Sequence, residues 1–133
     1  MVATLNSIEF PEMRNEVISA LTSLSDRAYQ QRVWIDRVFP NPNYFDDLNL
    51  NVHILVDDID VCRDPDRWVG GVLYSTEVEA LRDLGVTFRA MIDDLGDVPD
   101  AAYLADPRWG DVLRLAAAAL AVMQSNEPEN PRP

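Results

Sequence analysis

Residues 76–96 carry the most restrictive pattern in this chain of 133 residues. Leu81, Leu84, Phe88, Met91 or Ile92, and Leu95 recur at alternating steps of three and four. That spacing lines one face of a helix with about 3.6 residues per turn. Ser75 and Thr76 offer a cap, Thr76 to Glu79 has the order of a capping box, and Gly96 stands where a left-handed residue ends a helix. A helix with one apolar stripe must bury it against something, and its neighbours decide the fold class.

Those neighbours read as helices too. Phe10-Pro11-Glu12 marks a start, with proline early and an acid in the first turn. Met13, Val17, Ala20, Leu21 and Leu24 follow at helical spacing, and Ser25-Asp26 offers a new cap for 28–38, as a second helix or as the first one kinked. Phe39-Pro40-Asn41-Pro42-Asn43 is a stop. Segment 48–56 alternates like a strand in its first half, yet Leu48, Val52, Leu55 and Ile59 also form a helical stripe behind a cap at Asp46 or Asp47. The helix is preferred, because no convincing second strand exists to satisfy a lone one. A loop passes through Asp64-Pro65-Asp66 to a short apolar run at Trp68, Val69, Val72 and Leu73. The connection 97–105 has room for one helical turn. The last helix opens at Asp106-Pro107 and buries Trp109, Val112, Leu113, Ala116, Leu120 and Met123. The expectation is an all-α, single-domain bundle of four to six helices over residues 10–124. An N-terminal tail covers 1–9, and a disordered, proline-rich C-terminal tail covers 125–133.

Charge narrows the function. There are 23 acids against 11 cations, for a net −12, and every cation is Arg. Phosphate backbones and anionic membranes repel such a chain, so neither nucleic acid nor membrane is expected as a partner. Without Lys there is no Schiff-base amine and no Walker lysine, and Cys62 alone cannot build a disulfide framework. The opening residues 1–6 have neither a basic region nor an apolar one, and the longest apolar stretch, 115–123, is far short of the roughly 20 residues that span a bilayer. The expected location is the cytoplasm.

No constellation declares a catalyst. Asp93-Asp94-Leu95-Gly96-Asp97 has the DDxxD spacing that holds Mg²⁺ in isoprenoid synthases, but its glycine and the short chain favour a solvated helix end. Asp57, Asp58, Asp60, Asp64 and Asp66 lack the glycine and glutamate of a calcium loop, since Arg63 and Val69 occupy those places. His53 and Cys62 form a catalytic pair only if folding brings them into hydrogen-bond reach, and the apolar run around His53 favours a core histidine. No cofactor is expected. Trp34, Trp68 and Trp109 read as core packing rather than base-stacking platforms, which need cations beside them.

The distribution of charge says more. Seven Asp and a single Arg lie in 46–66, and five Asp with no cation lie in 93–106. Arg14, Arg27, Arg32 and Arg37, by contrast, are spaced to pair with Glu12, Glu16, Asp26 and Asp36 along the first helices. The excess acid therefore suits one steering face for a basic protein. Its expected members are Asp46, Asp47, Asp57, Asp58, Asp60, Asp64, Asp66, Asp93, Asp94, Asp97 and Asp100. Tyr44, Phe45 and Trp68 serve as apolar anchors.

Phe10-Pro11-Glu12-Met13-Arg14, Tyr29-Gln30-Gln31-Arg32-Val33-Trp34, His53-Ile54-Leu55-Val56-Asp57-Asp58 and the run from Asp97 to Trp109 together resemble a family of small, acidic, uncharacterised bacterial proteins from high-GC genomes. The likeness spans nearly the whole chain and brings no catalytic residue with it. In size, charge and lack of chemistry the chain more loosely resembles the immunity proteins of contact-dependent and polymorphic toxin systems. That likeness implies a cytoplasmic inhibitor that binds a basic toxin, such as a nuclease, with carboxylates imitating the phosphates of its substrate. The alternatives are a small metal-dependent enzyme using Asp57, Asp58, Asp60, Asp93, Asp94 and Asp97, and an adaptor for a basic cellular protein.

Overall fold

Pro11 begins helix α1, Pro11–Leu24, at a position where its missing N–H costs nothing. Val17, Ala20, Leu21 and Leu24 turn inward, as their spacing predicts. Asp26 caps a second start by accepting the Tyr29 N–H at 3.0 Å. Helix α2 is the single turn Arg27–Tyr29, which widens into a π-helix, Gln30–Ile35. The chain leaves it at Arg37 with φ 62°, ahead of the proline stop. Asp47 is the cap of the next element and accepts the Leu50 N–H at 2.9 Å. Helix α3, Leu48–Val52, also widens into a π-helix, His53–Asp58, and the chain leaves through Asp60 at φ 54°. The ambiguous segment is thus helical, with Leu48, Leu55 and Ile59 buried.

Two short 3₁₀ turns, Pro65–Trp68 and Ser75–Glu77, lead into α4, Val78–Leu95. Leu81, Leu84, Phe88 and Met91 are wholly buried along it, and Gly96 at φ 64° ends it. Its cap differs from the expected one. Glu77, not Glu79, reaches back to accept the Tyr74 N–H at 3.0 Å, while Glu79 stays exposed. Helix α5, Asp100–Ala105, and helix α6, Trp109–Ser125, complete the fold. This computed structural model describes residues 8–127. The outer parts of both expected tails, 1–7 and 128–133, lie outside the described residues.

The protein is all-α, and an isolated Val69–Leu73 bridge is the one β feature among the described residues. Helix α6 is the central member, packed against both α1 and α4. Trp109 anchors it: its ring stands edge-on to Trp34 and Phe88, with both centroids 6.3 Å away. A buried indole needs an acceptor, and Gln30 provides one at 2.9 Å while its own amide donates to the Ser23 carbonyl at 2.9 Å. Gly85 lets α4 close on the loop before it, since a Cβ there would sit 1.8 Å from the Cys62 carbonyl oxygen.

Arg14 is the other fastening, and it does not pair with Glu12 or Glu16 as expected. It is buried and uses every N–H of its guanidinium. Glu77 accepts two at 2.8 Å each, the Val72 and Met123 carbonyls accept at 3.0 and 3.1 Å, and Glu127 accepts Nε–H at 2.6 Å. Its guanidinium carbon also lies 4.9 Å from the centre of the Tyr74 ring. Burial alone lowers an arginine pKa, but the bonds and charges of Glu77 and Glu127 outweigh it and raise the value. Asn126 completes the cluster by donating to Glu77 at 2.9 Å. Residues 125–127 therefore belong to the fold, and the boundary expected after Gln124 falls short of where packing ends.

Candidate partner-binding face

The acids of 46–66 do not share one environment. Asp46 points inward and is only 6% exposed. Its carboxylate accepts from the Trp34 indole at 3.0 Å, the Tyr29 hydroxyl at 2.8 Å and the Asn51 amide at 2.9 Å. With three donors and almost no surface, Asp46 ties α2 to α3 and cannot meet a partner. Tyr44 joins this cluster through the Tyr29 hydroxyl. Burial first, then the bonds to Tyr44 and Asp46, raise the Tyr29 pKa well above that of an ordinary phenol. Phe45 is half exposed, 5.9 Å from Phe39, with the Arg37 guanidinium 5.4 Å from its ring.

Farther along, Asp57 pairs with His53 at 3.2 Å, and both side chains are half exposed. His53 is thus not the core residue its apolar neighbours suggest. Asp60 accepts the Trp68 indole N–H at 2.6 Å and lies 3.5 Å from Arg67, holding the 3₁₀ turn in place. Asp64 is exposed, Asp66 pairs with Arg82 on α4, and Trp68 is half-buried. The side chain of Asp58 lies outside the described residues. Cys62 is buried, which pushes its thiol up to about 12, so the nucleophilic thiolate is suppressed at neutral pH.

A separate group gathers at the other end of α4. Asp100, at the start of α5, accepts the Leu48 N–H at 3.1 Å and so caps α3 together with Asp47. Burial first raises its pKa; the charges of Asp47 and Asp46 add to this, against the Leu48 N–H and Arg37. Beside it opens a cleft of about 480 Å³ between α3, α4 and α5. Val52, Ile92 and Val98 form half-buried walls, and Asn49, Asp97 and Asp100 form the polar rim. Tyr103 closes the floor, its hydroxyl donating to the Gly96 carbonyl at 2.8 Å. A second hollow of about 320 Å³ shares Asp100 and adds Trp34, Arg37 and Asp47.

Asp93 is exposed, and Asp94 pairs with Arg108 at 2.7 Å. Arg108 also grips Asp106 through its side chain and its backbone N–H, bonds that hold the Asp106 carboxyl down to about 2. Ile92 and Arg82 stand ten residues apart on α4, about 15 Å along its axis. The expected acidic face therefore resolves into a set around the cleft (Asp47, Asp97 and Asp100) and a set on the 60–66 turn near Arg82. Among the described residues, no group of three or more His, Cys, Asp or Glu side chains is placed to hold a metal ion.

Sequence reasoning missed Asn49, Val52, Ile92, Val98 and Tyr103 as lining residues. A signal was present: Val52 and Ile92 lie on apolar stripes, and Val98 follows the helix stop, where nothing downstream offered to cover it. Beyond this geometry, a family model matches residues 8–131, that of a domain of unknown function, DUF7945. The chain belongs to the DUF7945 family. No curated protein and no solved structure matches it. For this DUF7945 domain, then, the site rests on its own residues. No helix among those described is long and apolar enough to cross a membrane.

Proposed function

We propose that this protein binds a basic protein partner and acts by occluding it, as a cytoplasmic, immunity-type inhibitor of a toxin does. A nuclease is the toxin its acidity suits best, because carboxylates can occupy a site built for phosphates. The reading is supported above all by the cleft, where Asp97 and Asp100 border half-buried aliphatic walls. Charge on the rim steers a cationic partner, and apolar surface beside it holds the complex once formed. The buried, protonated thiol of Cys62 and the separate pairing of His53 with Asp57 favour binding over nucleophilic catalysis.

The test is co-expression with the protein encoded next to this one, followed by binding kinetics of the purified pair. Growth arrest caused by the neighbour should be relieved by this chain. Raising salt from about 50 to about 300 mM should slow association about tenfold or more and change dissociation much less. A neighbour that is harmless, or whose toxicity persists despite expression of this chain, refutes the toxin reading. Tight binding indifferent to salt refutes the electrostatic mechanism.

A further inference from the structure

We propose that the cleft between α3, α4 and α5 receives a partner segment in which an arginine is flanked by aliphatic side chains. The inference rests on the binding reading above and deepens it by naming the chemistry of the occupant. Three features of the cleft support this choice. Its volume of about 480 Å³ holds several side chains, not a single ion. Val52, Ile92 and Val98 are half-buried, so covering them removes apolar surface from water. The rim is one-signed: Asp97 and Asp100 line the cleft, and Asp47 caps the same helix end.

Asp100 is the focus. One of its oxygens accepts the Leu48 N–H, which fixes the carboxylate at the boundary between the cleft and the hollow shared with Arg37 and Asp47. Burial and the acids Asp47 and Asp46 raise its affinity for a proton more than the Leu48 N–H and Arg37 lower it, and a guanidinium brought into the cleft from the side away from Arg37 would offset the charge of those acids. The planar fork of arginine can bond a carboxylate while its methylenes lie on aliphatic walls, which a compact hydrated ion cannot do. A metal ion, a lysine-bearing segment or a second copy of this chain are the competing occupants.

The probe is the capped tripeptide acetyl-Leu-Arg-Leu-amide, titrated into the full chain and followed by amide chemical shifts. Its controls are the same peptide with uncharged citrulline or with lysine in place of arginine, and Mg²⁺ alone. The arginine peptide should move the amides of Asn49, Val52, Asp97, Val98 and Asp100 most. Removing the charge with citrulline, or neutralising Asp97→Asn with Asp100→Asn, should weaken binding by about tenfold, the scale of a partly desolvated charge pair. Asn49→Lys tests the rim without touching either acid and should weaken it in the same direction. Shifts spread evenly over Asp57, Asp64, Asp66 and Asp93, equal affinity for the citrulline or lysine peptide, or an equal response to Mg²⁺ would overturn the assignment. So would oligomer contacts mapping to the cleft. A toxin bound tightly elsewhere would leave the proposed function standing and this inference refuted; peptide binding at the cleft with a harmless neighbour would do the reverse.

Discussion

Replacing Arg14 with methionine should be among the most damaging single changes in the molecule. Methionine keeps an unbranched apolar stem and removes the guanidinium. Glu77, with a wholly buried side chain, would then keep only the Tyr74 N–H and the Asn126 amide as donors. The Val72 and Met123 carbonyls and the Glu127 carboxylate would also lose their bond to it. Breaking a buried ion pair by removing one partner costs about 3–5 kcal/mol, mostly because a charge is left uncompensated. Taking about 4 kcal/mol and a urea slope of about 1.5 kcal/mol per M, the unfolding midpoint should fall by about 2.7 M. Adding Glu77→Gln removes the stranded charge, so the double variant should be less unstable than the sum of the singles by about 2 kcal/mol or more. The assay is urea unfolding followed by helical circular dichroism at neutral pH. A loss below about 1 kcal/mol for Arg14→Met, or an additive cycle, would refute the assignment of a coupled buried pair.

Two further outcomes are expected. Gly85→Ala should lower stability by about 2–4 kcal/mol, read as a drop in melting temperature, because the Cβ collides with backbone at Cys62 and not with a yielding side chain; an unchanged melt would show that the loop moves freely. Asp100→Asn should stabilise the protein at neutral pH. The raised pKa of Asp100 means that folding favours its protonated form, with that benefit complete below the unfolded value and lost as pH rises through the folded one. The advantage of the variant should therefore shrink as pH falls toward the ordinary carboxylate range, and a constant difference across pH would refute it.

The helices were legible where one face repeats. Leu81, Leu84, Phe88 and Met91 lie in phase, and their burial follows from spacing alone. Partners distant in sequence were not legible. Nothing near Arg14 announces Glu77, 63 residues away; Glu12 and Glu16 are near in sequence, but at two residues' distance they point to the other side of the helix. The capping pattern fitted Thr76 to Glu79 as well as any frame, and the choice of Glu77 was made by that tertiary pairing. Asp46 and Asp47 are neighbours of the same type, yet one is a buried acceptor of three side chains and the other a surface cap. Local sequence does not separate them, because Trp34 and Tyr29 supply the difference. His53 shows the opposite error: its neighbours are apolar, but helical phase turns it outward with Asp57. The passages from α- to π-helix at Gln30 and His53 left no sequence mark.

The central position of α6 also sets the order in which this protein can be made. Within the bundle its central helix is the last to be synthesised, and the Arg14 guanidinium of α1 waits for Glu77, Met123 and Glu127. Until those residues leave the ribosome, the apolar faces of α1 and α4 lack the helix that covers them. Closure of the bundle therefore waits until α6 and Glu127 have been made and have emerged, at about 5–20 residues per second. A chain stalled before residue 109 would hold most of the helices and none of their common floor, a state for chaperones to hold or proteases to clear.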